Sequence, residues 1–197
     1  MTTSNVSPSA IGWTAIAIGV SVILAVIFLI LMATVNGRLG TVNDVLNSII
    51  GILSVVLAIM FYAEHHDRSP LLSQITLGLA GVGAIFTIIG SVLIIFGYTD
   101  FVLAGWYAGI GNALIGLWLA TFCYSILRND LLPNNLVVFG IVTGAFMAIG
   151  LIGILGMVAK VDSMDMPWYL YVAFFGWFGT YVLYPIWAIW LGRILIK

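Results

Sequence analysis

Charge is what this sequence has least of. Lys, Arg, Asp and Glu make up 7% of its 197 residues, whereas a soluble domain of ordinary composition is roughly one-quarter charged. So few charges cannot cover a water-exposed surface, so most of the surface must face lipid. The net charge of -1 gives no electrostatic basis for binding nucleic acid. Cysteine is nearly absent. Cys123 stands alone, which excludes an intramolecular disulfide and leaves the redox compartment open. The central part of every apolar run lacks Asp, Glu, Lys, Arg and His. Ionisable groups inside a membrane mark proton relays and ion paths, so this lack argues against a proton-coupled pump or a carrier of charged substrates.

Long apolar runs are there instead, six of them, at residues 11–35, 41–63, 71–97, 101–127, 136–158 and 168–196. Each is near or above the ~20 residues that cross a ~30 Å hydrocarbon core. Strands of this length without alternation would leave backbone groups unpaired in lipid. The expected fold class is therefore all-α, an integral membrane six-helix bundle whose short loops make sequential helices antiparallel neighbours. Residues 1–10 read as a polar tail without Lys or Arg, and residues 11–197 as a single transmembrane domain. The first run exceeds the ~7–15-residue core of a secretory signal and is expected to be a retained helix. Asn5-Val6-Ser7 matches the glycosylation acceptor pattern, but the match is short, Pro8 follows it, and chance explains it.

Asn43 and Asp44 can cap the second helix, since their side chains accept from free amides. Pro70, Pro133 and Pro167 fall at helix starts, where a missing N–H costs little. Pro185 falls inside the sixth run and is expected to bend it near Tyr181. With six spans, Arg68, Arg128, Arg193 and Lys197 share a side with the termini, and Arg38 and Lys160 lie on the other. This bias places both termini in the cytoplasm of a multi-pass cell-membrane protein. Trp168 and Trp190 are 22 residues apart, roughly 33 Å of helix, and can mark the two interfaces.

Residues 47–51 read Asn-Ser-Ile-Ile-Gly and residues 112–116 read Asn-Ala-Leu-Ile-Gly. Superimposing Asn47 on Asn112 brings Gly51 onto Gly116, and Pro70 to within two residues of Pro133. Gly83-Ala84 and Gly144-Ala145 follow in the two copies. Helices 2–3 thus match helices 4–5 as a hairpin repeat of parallel sense, unlike the inverted repeats of many transporters. Duplication would explain the match, and so would the recurrence of small and apolar residues. Small residues also share helix faces. They are Thr76, Gly83, Gly90 and Gly97 in the third run, Gly105, Gly109, Asn112, Gly116 and Ala120 in the fourth, and Gly140, Gly144 and Ala148 in the fifth. Spacings of three, four and seven put residues on one face, and small faces let membrane helices approach closely. A pore or cleft lined by glycine is the functional reading of the same pattern.

Few residues could carry chemistry. Asn47 and Asn112 are expected at matching depth, facing the bundle interior and bonding across helices. Gln74, Tyr181 and Tyr184 are the other polar candidates. Glu64, His65, His66 and Asp67 form the one dense cluster. Adjacent histidines on a helix point about 100° apart, whereas a helical zinc pair is spaced i, i+4. A metal or pigment site at His65 and His66 would need further ligands, such as Asp130. A solvated turn is the simpler reading, with no metal and no cofactor. No Ser-His-Asp order, phosphate loop or nucleophile elbow is present, and no catalytic residue is assigned. Cys123 could be acylated or could be a buried, unreactive thiol.

The stretch 112–153, through Gly116-Leu117-Trp118, Leu132-Pro133 and Gly140-Ile141-Val142-Thr143-Gly144, resembles small polytopic bacterial membrane proteins of unknown function. Tyr184-Pro185-Ile186-Trp187 and Leu191-Gly192-Arg193 are similar too. The resemblance implies a bacterial inner membrane and no known activity. Three functions compete. The first is a non-catalytic structural or accessory component that packs against itself or other subunits in the lipid bilayer. The second is a carrier or channel for a small neutral or apolar solute. The third is a lipid-modifying enzyme using the Glu64–Asp67 turn with Asp130.

Overall fold

A computed structural model of the protein describes residues 6–65, 70–127 and 131–196. Six helices in it are long and apolar enough to cross a membrane, and no strand occurs among the described residues. The chain is an all-α, multi-pass membrane bundle. The helices are α1 (Pro8–Thr34), α2 (Gly40–His65), α3 (Pro70–Ile95), α4 (Phe101–Ile126), α5 (Asn134–Val158) and α6 (Trp168–Leu195). Each packs on the next in sequence, and α6 returns to α1, so the six close into a ring.

α1 starts three residues inside the expected polar tail. The Ser7 hydroxyl accepts from the Ala10 amide at 3.2 Å, and Pro8 occupies the first turn. Both features favour a helix start. Pro70 opens α3, and Pro133 and Pro167 directly precede α5 and α6, as expected. The ends of α3 and α5 use one device. Gly97 and Lys160 take positive φ, 71° and 52°. Tyr98 N–H then reaches Leu93 O at 2.8 Å, and Val161 N–H reaches Gly156 O at 2.9 Å. These are Schellman closures, which satisfy carbonyls the helix end would leave free.

Asn43 and Asp44 do not cap α2. A short 3₁₀ turn, Gly37–Leu39, precedes the helix, and the Asn36 side chain accepts from Arg38 N–H at 3.0 Å. That start places Asn43 and Asp44 inside the second helical turn, where backbone amides already have partners.

Helix contacts run through glycine. A Cβ on Gly83 of α3 would lie 2.6 Å from Gly111 O of α4. One on Gly116 of α4 would lie 2.9 Å from Gly144 O of α5. One on Gly192 of α6 would lie 2.7 Å from Gly12 O of α1. Only a residue without a side chain permits such backbone approach. The repeat can be followed in these contacts. Gly51 touches Ala84 and Thr87 of α3, as Gly116 touches Gly144 and Ala148 of α5. Gly51 and Gly116 thus hold the same place in their hairpins. Gly83 does not match Gly144, because Gly83 packs outward on the next hairpin. Ala84 takes the place of Gly144.

The main core fills the half of the bundle next to the α2–α3 and α4–α5 connections. Leu57, Trp118, Leu119, Leu136, Trp187 and Leu191 are buried there. Trp106, Met166, Leu170 and Ala173 form a smaller cluster at the other end. The Trp106 indole N–H donates to Val161 O at 3.0 Å, which holds the α5–α6 connection over the start of α4.

Candidate functional site

Between these two cores lies a polar crevice. On α2, Asn43 and Asn47 are one turn apart and share a face with Asp44. Asn43 donates from Nδ2 to Ala25 O of α1 at 2.8 Å. Asn47 donates from Nδ2 to Asn43 O at 3.1 Å and to Asn43 Oδ1 at 3.0 Å. The Tyr181 hydroxyl of α6 donates to Asn47 Oδ1 at 3.2 Å. The Ser91 hydroxyl of α3 donates to Asp44 O at 2.7 Å, with Thr87 O also in reach at 3.0 Å. Asn43, Asn47 and Ser91 are buried, and Asp44 is half-buried. One polar face of α2 therefore ties it to α1, α3 and α6.

α6 reaches this face through an irregularity. Pro185 has no N–H to offer Tyr181 O, and the turn before it widens into a π-helix, Gly179–Leu183. Tyr184 N–H bonds Gly179 O instead. The expected disturbance near Tyr181 is thus a π turn, a form frequent at functional sites.

Asn112 lies across the crevice on α4. Its side chain is 5% exposed and has no hydrogen-bond partner among the described residues. Asn47 and Asn112 line the same cavity. They differ in bonding. Asn47 has its interhelical bond, while the Asn112 amide faces space because small residues, Gly105, Ala108 and Gly109, surround it on the same wall. The cavity volume is about 30 Å³, room for about two waters at ~10–15 Å³ each. Among the described residues, no Lys, Arg or His lines it.

Further concavities among the described residues are grooves on the outside. One is lined by Ile186, Ile189, Trp190, Arg193 and Ile194, another by Phe146, Tyr171, Phe174, Phe175 and Phe178. Ile186 and Phe175 are more than half exposed, at 51% and 58%, as expected for the lipid-facing surface.

A second polar pair lies in the main core. The Tyr184 hydroxyl and Ser54 Oγ are 2.9 Å apart, and Ser54 also donates to Ile50 O at 2.7 Å. Among the described residues, Thr143 Oγ1 and Trp187 Nε1 are buried without a partner. Cys123 is buried beside Gly140 and Trp187. Gln74 is exposed on α3. His66, Asp67 and Asp130 lie outside the described residues, as do the side chains of Glu64 and His65.

Sequence reasoning missed Asp44 and Ser91 as members of the crevice. The i, i+3 spacing of Asp44 and Asn47 was the signal for the first. Ser91 carried no signal, since a lone serine in an apolar run most often bonds its own helix. Compared with family models, curated proteins and solved structures, the chain has no match.

Proposed function

We propose that this chain is a non-catalytic structural or accessory component of a membrane assembly, seated in a bacterial inner membrane with both termini cytoplasmic. It docks a further membrane helix on the outer face of α3. The observation that carries this reading is a pair of glycines, Gly78 and Gly81. A Cβ added to either would meet nothing within 4 Å, whereas every other glycine of the six helices has a neighbour within that distance. A glycine inside a helix costs about 1 kcal/mol relative to alanine. Close approach of a partner helix offsets that cost, as it does at the contacts inside the bundle. Gln74 lies one turn from Gly78 on the same exposed face and supplies an amide for a bond to that partner, either a second copy or another subunit.

The carrier reading has less support. A cavity of about 30 Å³ is about a tenth of the smallest usual ligand pocket, roughly 300–1,000 Å³. The enzyme reading depends on side chains outside the described residues.

Mass analysis of the protein gently extracted from its native membrane tests the proposal. The expected result is a defined assembly that disappears in the Gly78→Leu, Gly81→Leu double variant while the thermal midpoint of the chain stays within a few degrees. A wild-type monomer without partners would refute it, and so would an assembly untouched by the double variant.

A further inference from the structure

We propose that the crevice between α2, α3, α4 and α6 is a binding site for a sodium-sized monovalent cation. Three independent observations meet there. The first is Asp44, half-buried in a wall that carries no Lys, Arg or His among the described residues. A carboxylate at the edge of a lipid-embedded bundle needs a counter-charge, and acidic residues in such places mark ion or proton sites. The second is the Asn112 amide, 5% exposed, facing the cavity and without a hydrogen-bond partner among the described residues. An unpartnered amide that opens onto a cavity inside an otherwise buried residue takes its partner from whatever fills that cavity. The third is size. The cavity volume of about 30 Å³ admits an ion or a water pair and excludes organic solutes.

The donor set selects the charge. Asp44 offers carboxylate oxygens, Asn112 an amide oxygen, and Asn47 Oδ1 a second lone pair beyond the one taken by Tyr181. Ser91 Oγ keeps its lone pairs, since its hydrogen is donated to backbone. These are hard oxygen donors, suited to hard cations and not to transition metals. One carboxylate balances one positive charge. A calcium ion takes six to eight oxygens, commonly several carboxylates, and would leave an uncompensated charge within the bundle. Tyr181, within the π turn of α6, donates to Asn47, and both residues line the crevice. Trp177, which packs 3.5–3.6 Å from the Cβ positions of Gly109 and Gly105, walls the crevice and provides an optical probe.

The experiment uses full-length protein in lipid nanodiscs, with NaCl exchanged for choline chloride at constant ionic strength. The expected results are a thermal midpoint that rises with Na⁺ and not with choline, saturable ²²Na⁺ binding, and a Trp fluorescence change with the same midpoint concentration. Asp44→Asn should abolish all three, and Asn112→Ala should weaken binding roughly tenfold. Tyr124→Phe, exposed and outside the crevice, should leave binding intact. Equal midpoints in Na⁺ and choline would overturn the proposal. So would ²²Na⁺ binding that survives in Asp44→Asn, displacement by Ca²⁺ at lower concentration than by Na⁺, or a response to pH alone, in which case Asp44 takes a proton. Should Asp44→Asn fail to fold, the wild-type ion comparison and Asn112→Ala decide the matter.

Discussion

The two ends of one buried hydrogen bond can matter unequally, and the Ser54–Tyr184 pair illustrates it. Ser54 already donates to Ile50 O, so the Tyr184 hydroxyl is the donor between them. Ser54→Ala strands that donor in a fully buried position and should cost about 1–3 kcal/mol. Tyr184→Phe removes the donor, leaves Ser54 its backbone partner, and should cost under ~1 kcal/mol. Chemical unfolding of the two variants in the same detergent checks this, and equal losses would contradict the assignment of donor and acceptor. Asn43 and Asp44 teach a related lesson. Their residue types suit a helix cap, and the residue types are all the sequence displays. The start of α2 was decided by Asn36 and the 3₁₀ turn, after which the same side chains became bridges to α1 and walls of the crevice.

At the scale of elements, the glycines divide by what faces them. A Cβ on Gly144 would lie 2.6 Å from Ala120 N of α4, and backbone cannot swing aside as a side chain can. Gly144→Ala should therefore destabilise the chain by about 1–3 kcal/mol. Gly78→Ala meets open space and should stabilise the isolated chain by up to about 1 kcal/mol. Opposite shifts of thermal midpoint are expected, and shifts of the same sign would mean the helix contacts are misassigned. The π turn supplies a second prediction. The Asn47–Tyr181 bond depends on the wider turn before Pro185. A double-mutant cycle of Asn47→Ala with Tyr181→Phe should show coupling near ~0.6 kcal/mol, the average for such bonds in membranes. In a Pro185→Ala background, where the α-helical bond to Tyr181 O can re-form, that coupling should vanish. Unchanged coupling would show that the proline does not hold Tyr181 in place.

The whole molecule has two unlike halves, a dry packed end and an end with a polar crevice under the α5–α6 connection. In the proposed orientation, which rests on the lysine and arginine bias, the main-core end faces the cytoplasm. Single cysteines introduced at Ser4 and Ser163 test this, with the native Cys123 kept silent by burial. The Ser163 position should react with an impermeant reagent applied outside the cell, and the Ser4 position should not. Labelling at Ser4 from outside would reverse the orientation, and with it the face from which a cation reaches Asp44.

The amino-acid sequence by itself determined the solvent, the number of spans and part of the close-packing glycines. Gly83, Gly90, Gly116 and Gly144 meet a neighbouring helix as their spacing suggests, whereas Gly12, Gly111 and Gly192 do so unmarked, and Gly105 and Gly109 open onto the crevice. Lipid requires every backbone group to be satisfied within the chain, which leaves helices as the answer once the apolar runs are counted. Run length and small-residue spacing are local properties, so they are legible without coordinates. The repeat was legible in part. Asn47–Gly51 and Asn112–Gly116 have local patterns, whereas the one-residue shift between Gly83 and Gly144 depends on which neighbouring helix each one faces. Only the tertiary structure decided that Asn47 is bonded while Asn112 faces a cavity, and that Asp44 and Ser91 join them. Those distinctions depend on the rotation of α2, α4 and α6 about their own axes. Packing across the ring sets that rotation, together with the π turn that Pro185 imposes on α6.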